Sequence, residues 1–171
     1  MDLIVKVKSY RNLDNYIKMG ANAFLFGIKD FSINSLTKLK IKDLKKIKTK
    51  YKNIKIYILI DKNMFNKDLE KLTKFLINVD NLNLDGIFFY DLGIYYIKEK
   101  YNLKTPLVWN QNYFVNNYET CNYYYAKGIK YGVISNEITK EEIEKIVKNT
   151  KMNMFINTFG YQMMSYSKRK L

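Results

Sequence analysis

No histidine occurs anywhere in the chain, and there is a single cysteine, Cys121. Together these absences remove most of the familiar catalytic and metal-binding constellations. A Ser-His-Asp triad, a Cys-His dyad, an HExxH zinc site and a four-cysteine cluster all need residues that this chain does not supply. A lone cysteine also excludes an internal disulfide. Chemistry here has to come from carboxylates, lysines, tyrosines, amides or a borrowed cofactor, and no metal site is expected. Long apolar runs are missing too, since no stretch of eighteen or more uncharged apolar residues appears. The opening MDLIVKVKSY carries an acidic second residue and strand-like alternation where a leader would carry a basic segment. The expectation is a soluble, cytoplasmic protein that does not engage a membrane.

Acidic residues are in short supply: 16 Asp and Glu stand against 30 Lys and Arg, for a net charge of +14. Such a surplus attracts polyanions such as RNA and makes their binding strongly salt-dependent. Most of it is lysine, and the chain is also rich in Asn, Ile and Tyr, the bias of AT-rich coding sequence. Compositional drift and an RNA-binding face are both open. Nine lysines fall between Lys38 and Lys55, which reads as a solvated helix face or as a nucleic-acid contact.

What is abundant is apolar material, 47% of residues, enough for a sizeable core in one domain or part of one. Its periodicity alternates. Leu3 to Val7 reads as a strand, Asn12 to Met19 as a short helix stopped by Gly20, and Ala23 to Phe26 as a second strand ending at Gly27. Leu36, Leu39, Leu44, Ile47 and Tyr51 recur at helical spacing, and Lys55 to Asp61 follows as a near-continuous apolar strand. Asn66 to Asn78 is an amphipathic helix, and Asp85-Gly86 turns into the strand Ile87 to Asp91. Gly93 to Lys100 is helical, Pro106 opens the strand Leu107 to Asn110, and Tyr118 to Lys127 is a helix closed by Gly128. Tyr131 to Ser135 makes a sixth strand. Thr139, with Glu142 as a capping box, starts the helix Lys140 to Lys148, and Met152 to Thr158 is the seventh strand.

Seven short strands alternating with six helices argue for a parallel α/β fold with right-handed crossovers. The spacing suits an incomplete TIM-type (β/α) barrel spanning residues 1–171 as one partial domain, with an eighth unit still wanting. A doubly wound sheet is the alternative, but no GxGxxG follows the first strand.

Barrels of this type build their sites at the C-terminal ends of the strands. That rule selects Lys29 after strand two, Asp61 after strand three and Asp91 after strand four. After strand five it selects Asn110, Gln111 and Asn112, after strand six Glu137, and after strand seven Tyr166, Ser167, Lys168 and Arg169. Glu137, Asp91 and Asp61 are the candidate catalytic groups, the others candidate substrate contacts. Asp61 and Asp91 also suit a turn or a helix N-cap, whereas Glu137 sits where neither demands a carboxylate. The amides of 110–112 have paired donors and acceptors fit for a base or peptide edge, or simply for a polar loop. The clusters Tyr95-Tyr96 and Tyr123-Tyr124-Tyr125 fall on helices, where packing and base stacking are both uses for tyrosine. Met154 to Leu171 ends in a glycine and a basic, hydroxyl-bearing stretch, the composition of an anion site or of a loose basic tail.

Several of these segments together resemble the N-terminal barrel of the collagenase-like peptidases, peptidase family U32. The carriers are Gly20 to Gly27 with Lys29-Asp-Phe-Ser32, Asp85-Gly86 before Ile87 to Asp91 and Gly93, and Ser135 to Thr139 before Glu141-Glu-Ile. The most specific is Phe159-Gly-Tyr-Gln-Met-Met-Ser-Tyr-Ser-Lys-Arg-Lys-Leu171, which is similar to a family signature running from glycine to Tyr-Ser-x-Arg and then leucine. The resemblance implies either proteolysis of unassigned catalytic type or hydroxylation of tRNA or ribosomal RNA bases. Some members carry out the second with prephenate and an iron–sulfur cluster. Cysteines that the family commonly carries align with Met163 and Lys170, so this chain alone is not expected to hold such a cluster. Members also continue past the position of Leu171. Three readings follow: a divergent member linked to RNA modification or binding, a peptidase acting on collagen-like or unfolded peptides, and a non-catalytic barrel fragment that pairs with a second chain or with itself.

Overall fold

The structure, a computed structural model, describes residues 2–111 and 115–160. Its strands are β1 (Ile4–Lys6), β2 (Ala23–Gly27), β3 (Lys55–Ile60), β4 (Gly86–Phe89), β5 (Leu107–Trp109), β6 (Tyr131–Val133) and β7 (Asn153–Phe155). Between them run α1 (Leu13–Lys18), preceded by a 3-10 turn at Tyr10–Asn12, α2 (Ile41–Lys50), α3 (Asn66–Asp80), α4 (Gly93–Tyr101), α5 (Tyr118–Ala126) and α6 (Lys140–Asn149). Every strand pairs in parallel with its sequence neighbours, in the order β1 to β7. Each crossover therefore carries one helix, which parallel pairing requires.

The sheet is curled. Phe155 on β7 lies 6.0 Å from Tyr57 on β3 and 5.2 Å from Phe88 on β4, ring centre to ring centre, a contact no flat seven-stranded sheet can make. Alternation along the strands sorts the apolar residues into two cores. Ala23, Leu25, Tyr57, Leu59, Phe88, Val108 and Val133 fill the concave side, with Ile4, Tyr131 and Phe155 packed against them. Phe24, Phe26, Ile56, Ile58, Ile60, Ile87, Phe89, Leu107 and Trp109 face the helices, where Leu44, Ile47, Leu72, Leu76, Ile94 and Ile146 meet them. Burial on both faces is why β3 reads as a continuous apolar run. The architecture is an incomplete TIM-like barrel, with β1 and β7 as the sheet edges among the described residues.

Element ends follow local chemistry. Thr139 Oγ1 accepts the Glu142 N–H (3.4 Å), capping α6, while the Glu142 carboxylate pairs with Lys145 (2.7 Å). Gly128, at φ +87°, closes α5 in the left-handed conformation that favours glycine. One helix begins later than its periodicity suggests. Leu36 and Leu39 precede α2 and do not share its face; Leu39 forms a parallel bridge to Ile28, and Leu36 is 61% exposed. Strands three to seven are also shorter than their apolar runs: single N–H bonds continue the ladder at Tyr90, Asn110 and Ile134 before the chain forms the mouth of the barrel. Of the helical tyrosines, Tyr95, Tyr124 and Tyr125 pack on the outer core while Tyr96 and Tyr123 stay exposed.

Candidate functional site

Residues immediately past the strands gather at the C-terminal end of the sheet, and the pleat decides which of them face inward. Asp61, Tyr90, Asn110 and Ser135 each follow an outward residue, so they share the concave side with Leu59, Phe88, Val108 and Val133. Lys6 joins them. It is in register with Leu25, whose side chain belongs to the concave core, and shares that face with Ile4. Its side chain keeps contact with solvent. Partial burial nonetheless lowers its pKa from the ordinary lysine value, and the charge of Asp61 works in the opposite direction.

The three candidate acids are placed differently. Asp61, 8% exposed, accepts the Ile33 N–H (2.6 Å) and the Asn34 N–H (2.9 Å). Asp91 accepts the Met64 N–H (2.7 Å) and the Gly93 N–H (2.8 Å), tying the β3–α3 loop to the start of α4. Both carboxylates are thus committed to backbone amides. Glu137 is exposed on the loop after β6, its own N–H donated to Ser135 Oγ (3.3 Å), and no described residue pairs with its carboxylate.

Gln111 and Asn110 also part company. Gln111 Nε2 donates to the Tyr90 carbonyl (2.6 Å) and its Oε1 accepts the Trp109 Nε1–H (3.0 Å), so this amide clamps the ends of β4 and β5 together. Asn110 extends the ladder through its N–H to the Phe89 carbonyl (2.9 Å) and leaves its side chain on the concave side. Lys29 stands exposed two residues past β2, its N–H donated to the Leu39 carbonyl (2.9 Å). Asn112, Tyr166, Ser167, Lys168 and Arg169 lie outside the described residues, as do Met163 and Lys170.

The mouth is narrowed on one side by residues 28–40. Thr37 Oγ1 accepts the Gly27 N–H (2.9 Å), Ser32 Oγ accepts the Ile28 N–H (2.6 Å) and donates to the Leu59 carbonyl, and Lys38 Nζ donates to the carbonyls of Ser32 and Ile33. Ser35 lies directly over Gly27 on the concave side. With Asp61 holding residues 33 and 34, the segment is a hydrogen-bonded cover over the β2–β3 rim. Replacing Asp61 by asparagine presents an NH₂ to one of two N–H donors. Stability is expected to fall by about 1–3 kcal/mol, the cost of an unsatisfied buried donor. Urea denaturation measures the loss, and hydrogen exchange should accelerate first at Ile33 and Asn34.

Among the described residues no group of three or more His, Cys, Asp or Glu is gathered to hold a metal. Cys121 is buried on α5, where desolvation pushes its thiol up to about 11. One neutral thiol in the helical layer does not fit an iron–sulfur cluster, which needs several thiolates. Nor, among the described residues, is any helix long and apolar enough to cross a membrane.

Sequence reasoning passed over Lys6. The available signal was its place in Ile4-Val5-Lys6, where alternation puts a cation on the same side as Ile4. Only the partner strand's register reveals that this side is the interior.

A family model described as peptidase family U32 matches residues 8–171. The tRNA hydroxylation protein P2 of Bacillus subtilis (strain 168) is 25% identical over 172 residues, which cover 99% of this chain and 56% of that protein. The chain thus spans about half the length of the curated relative. Solved structures share the fold at low identity. An unknown member of the enolase superfamily from Enterococcus faecalis V583 aligns with a TM-score of 0.61 at 14% identity, covering 91% of this chain and 42% of that one. The tryptophan synthase alpha chain of Legionella pneumophila subsp. pneumophila gives 0.55 at 12% identity, over 90% and 68% of the two chains.

Proposed function

The chain belongs to peptidase family U32, and from that premise we propose that it takes part in RNA base modification, binding RNA across the C-terminal end of its barrel. The observation that carries this reading is the alignment of 99% of the chain with a tRNA hydroxylation protein. The net charge of +14 supports it, because phosphate neutralisation supplies much of the affinity in RNA recognition. At the mouth, Lys6 and the Asn110 amide would meet the polar edge of an unstacked base, and Glu137, the acid whose carboxylate no described residue engages, would serve as the proton acceptor. Lys168 and Arg169 would hold phosphate. With one buried thiol the chain does not furnish redox chemistry of the cluster type; its part is to recognise and position the RNA and, through Glu137, to take up a proton.

Binding of bulk tRNA by the purified protein tests the reading. Affinity is expected to fall by about a thousandfold or more between 50 and 200 mM salt if roughly six phosphates are neutralised. A Lys168→Glu/Arg169→Glu double variant should bind more weakly; undetectable or salt-independent binding of the wild type refutes the proposal.

Lys6→Met separates the site from the scaffold. A lysine with a lowered pKa in the folded state opposes folding while it is protonated, and that opposition fades as pH rises through its folded pKa. Removing the charge should therefore raise the melting temperature at pH 7 while lowering base modification, the trade expected of a functional rather than a structural residue. Nucleoside mass spectrometry of tRNA from cells carrying the variant reads the second effect. Unchanged modification would remove Lys6 from the site.

A further inference from the structure

Away from the mouth, the exposed face of α2 carries positive charge that the fold does not neutralise. Lys48 reaches Asp85 (3.7 Å), Lys50 reaches Asp14 (3.1 Å) and Lys55 reaches Asp2 (2.5 Å). No described residue pairs with the charged ends of Lys42, Lys45, Lys46 or Arg11. The one acid on α2, Asp43, is spent on accepting the Lys40 N–H (3.0 Å) at the helix start. Lys42, Lys46 and Lys50 follow one another at i, i+4 along a single row, a like-charge spacing that destabilises an isolated helix. Lys50 in that row is met by Asp14, but Lys42 and Lys46 find no acid among the described residues, and a like-charge pair that costs stability and is left unneutralised is complementary to an outside anion.

Beside that row lies a groove of about 340 Å³ between α2 and the 3-10 turn before α1. Tyr10 and Arg11 form one wall, Lys46, Ile47, Lys50 and Tyr51 the other. Lys50 Nζ sits 4.7 Å from the centre of the Tyr51 ring. The groove is at the small end of the range for ligand pockets, roughly 300–1,000 Å³, and combines two half-buried tyrosines with the Arg11 guanidinium and the Lys46 ammonium, beside a Lys50 ammonium that Asp14 already engages. Rings that stack beside cations that hold phosphates are the two elements of single-strand recognition.

We infer that the α2 face and the Tyr10–Tyr51 groove form a second RNA contact, which holds an unpaired segment by its phosphates and stacks its bases. A duplex would bring phosphates but no free base face for the tyrosines. A lipid surface fits poorly, because the exposed positions of α2 are Lys42, Lys45, Lys46, Thr49 and Lys50, with no large apolar side chain to insert. The inference rests on the RNA reading above and adds where the flanking strand travels, along the outer helical layer rather than over the mouth.

Fluorescence anisotropy with a labelled oligouridine of about twelve nucleotides, and in parallel with tRNA, tests it on the full chain. The triple variant Arg11→Glu/Lys42→Glu/Lys46→Glu alters exposed residues only, and circular dichroism should show it folded. It is expected to lose at least tenfold in oligouridine affinity at 50 mM salt, and the slope of log affinity against log salt should flatten by about 2, at roughly 0.7 per phosphate contact. Tyr10→Ala should weaken binding severalfold with the salt slope unchanged, and ultraviolet crosslinks to oligouridine should map to peptides containing Tyr10 or Tyr51. If the triple variant binds within twofold of wild type with the same slope, the groove inference is wrong while the RNA reading survives. If wild type binds no RNA at low salt, both fall. Binding to phosphatidylserine vesicles that the triple variant abolishes, with no effect on oligouridine, overturns the inference in favour of a membrane surface.

Discussion

Gly27→Ala is expected to be among the most damaging single-methyl changes available to this protein. The added Cβ would overlap Ser35 Cβ and Oγ and stand 2.5 Å from the Thr37 carbonyl oxygen. Ser35 Oγ can rotate away, but Ser35 Cβ and the Thr37 carbonyl are placed by the backbone and cannot. Thr37 is held in place by its own hydroxyl, which accepts the Gly27 N–H (2.9 Å), and by the neighbouring Leu39, whose N–H donates to the Gly27 carbonyl (2.9 Å). The variant must either lift residues 28–40 off the mouth or distort β2. A loss of about 3 kcal/mol or more is expected, the upper end of overpacking costs, against a total stability of roughly 5–15 kcal/mol for a domain. Gly20→Ala is the control. Its Cβ meets nothing within 4 Å, but φ is +94°, so only the backbone strain of about 1–2 kcal/mol applies. Urea midpoints measure both, and equal losses would mean that the close approach at Gly27 is not what makes glycine necessary there.

Trp109→Ala is expected to cost about as much for a different reason. Trp109 is 1% exposed, and its ring centre lies 4.0 Å from that of Tyr124 on α5. Truncating a buried aromatic typically removes about 3–5 kcal/mol, transfer energy and residual cavity together. A second effect follows through Gln111, whose Oε1 loses the indole N–H while its Nε2 still holds the Tyr90 carbonyl. Trp109→Phe keeps most of the packing and removes the hydrogen bond, so it should cost clearly less in stability yet still loosen the β4–β5 rim. The comparison is readable by circular dichroism melts for stability and by hydrogen exchange at Asn110, whose N–H is the last ladder bond of β5. Because the chain has one tryptophan, wild-type fluorescence should be blue-shifted when folded and move to the red on unfolding. A truncation that leaves the urea midpoint unchanged would contradict the packing described here.

The alternation of strands and helices was legible from periodicity because each apolar run faces a core. Ile56 to Ile60 is buried on both faces and reads as unbroken hydrophobicity, while Leu72, Leu76 and Val79 mark one stripe of α3. The same logic misread residues 36 to 40. Leu36 and Leu39 are three apart, as Leu44 and Ile47 are, yet the burial of Leu39 comes with a bridge to Ile28, and one-dimensional spacing cannot distinguish a helix face from an extended segment that returns to a strand. The polar strand ends were legible for a general reason, since parallel barrels place polar loops there. Which of them carry free functional groups was not. In the sequence Asp61 and Asp91 suit a turn or cap as readily as a site, and Gln111 looks as available as Asn110; only the positions of Ile33, Asn34, Met64, Gly93, Tyr90 and Trp109 in space show that the polar atoms of all three are taken.

By itself, then, the sequence determined what these 171 residues do not supply and what they repeat. Without histidine and with one cysteine they supply no Ser-His-Asp triad and no four-cysteine cluster, and their recurring strand-helix unit imposes a parallel α/β layer structure. Tertiary structure decided how these parts are used. Curling the sheet turned Lys6 inward toward Asp61, folded residues 28–40 over Gly27, and separated the lysines of α2 into those paired with acids and those left facing water. The physical reason is common to all three. Charge and shape act over a few ångströms, and residues distant along the chain come within that range only once the strands have closed on one another.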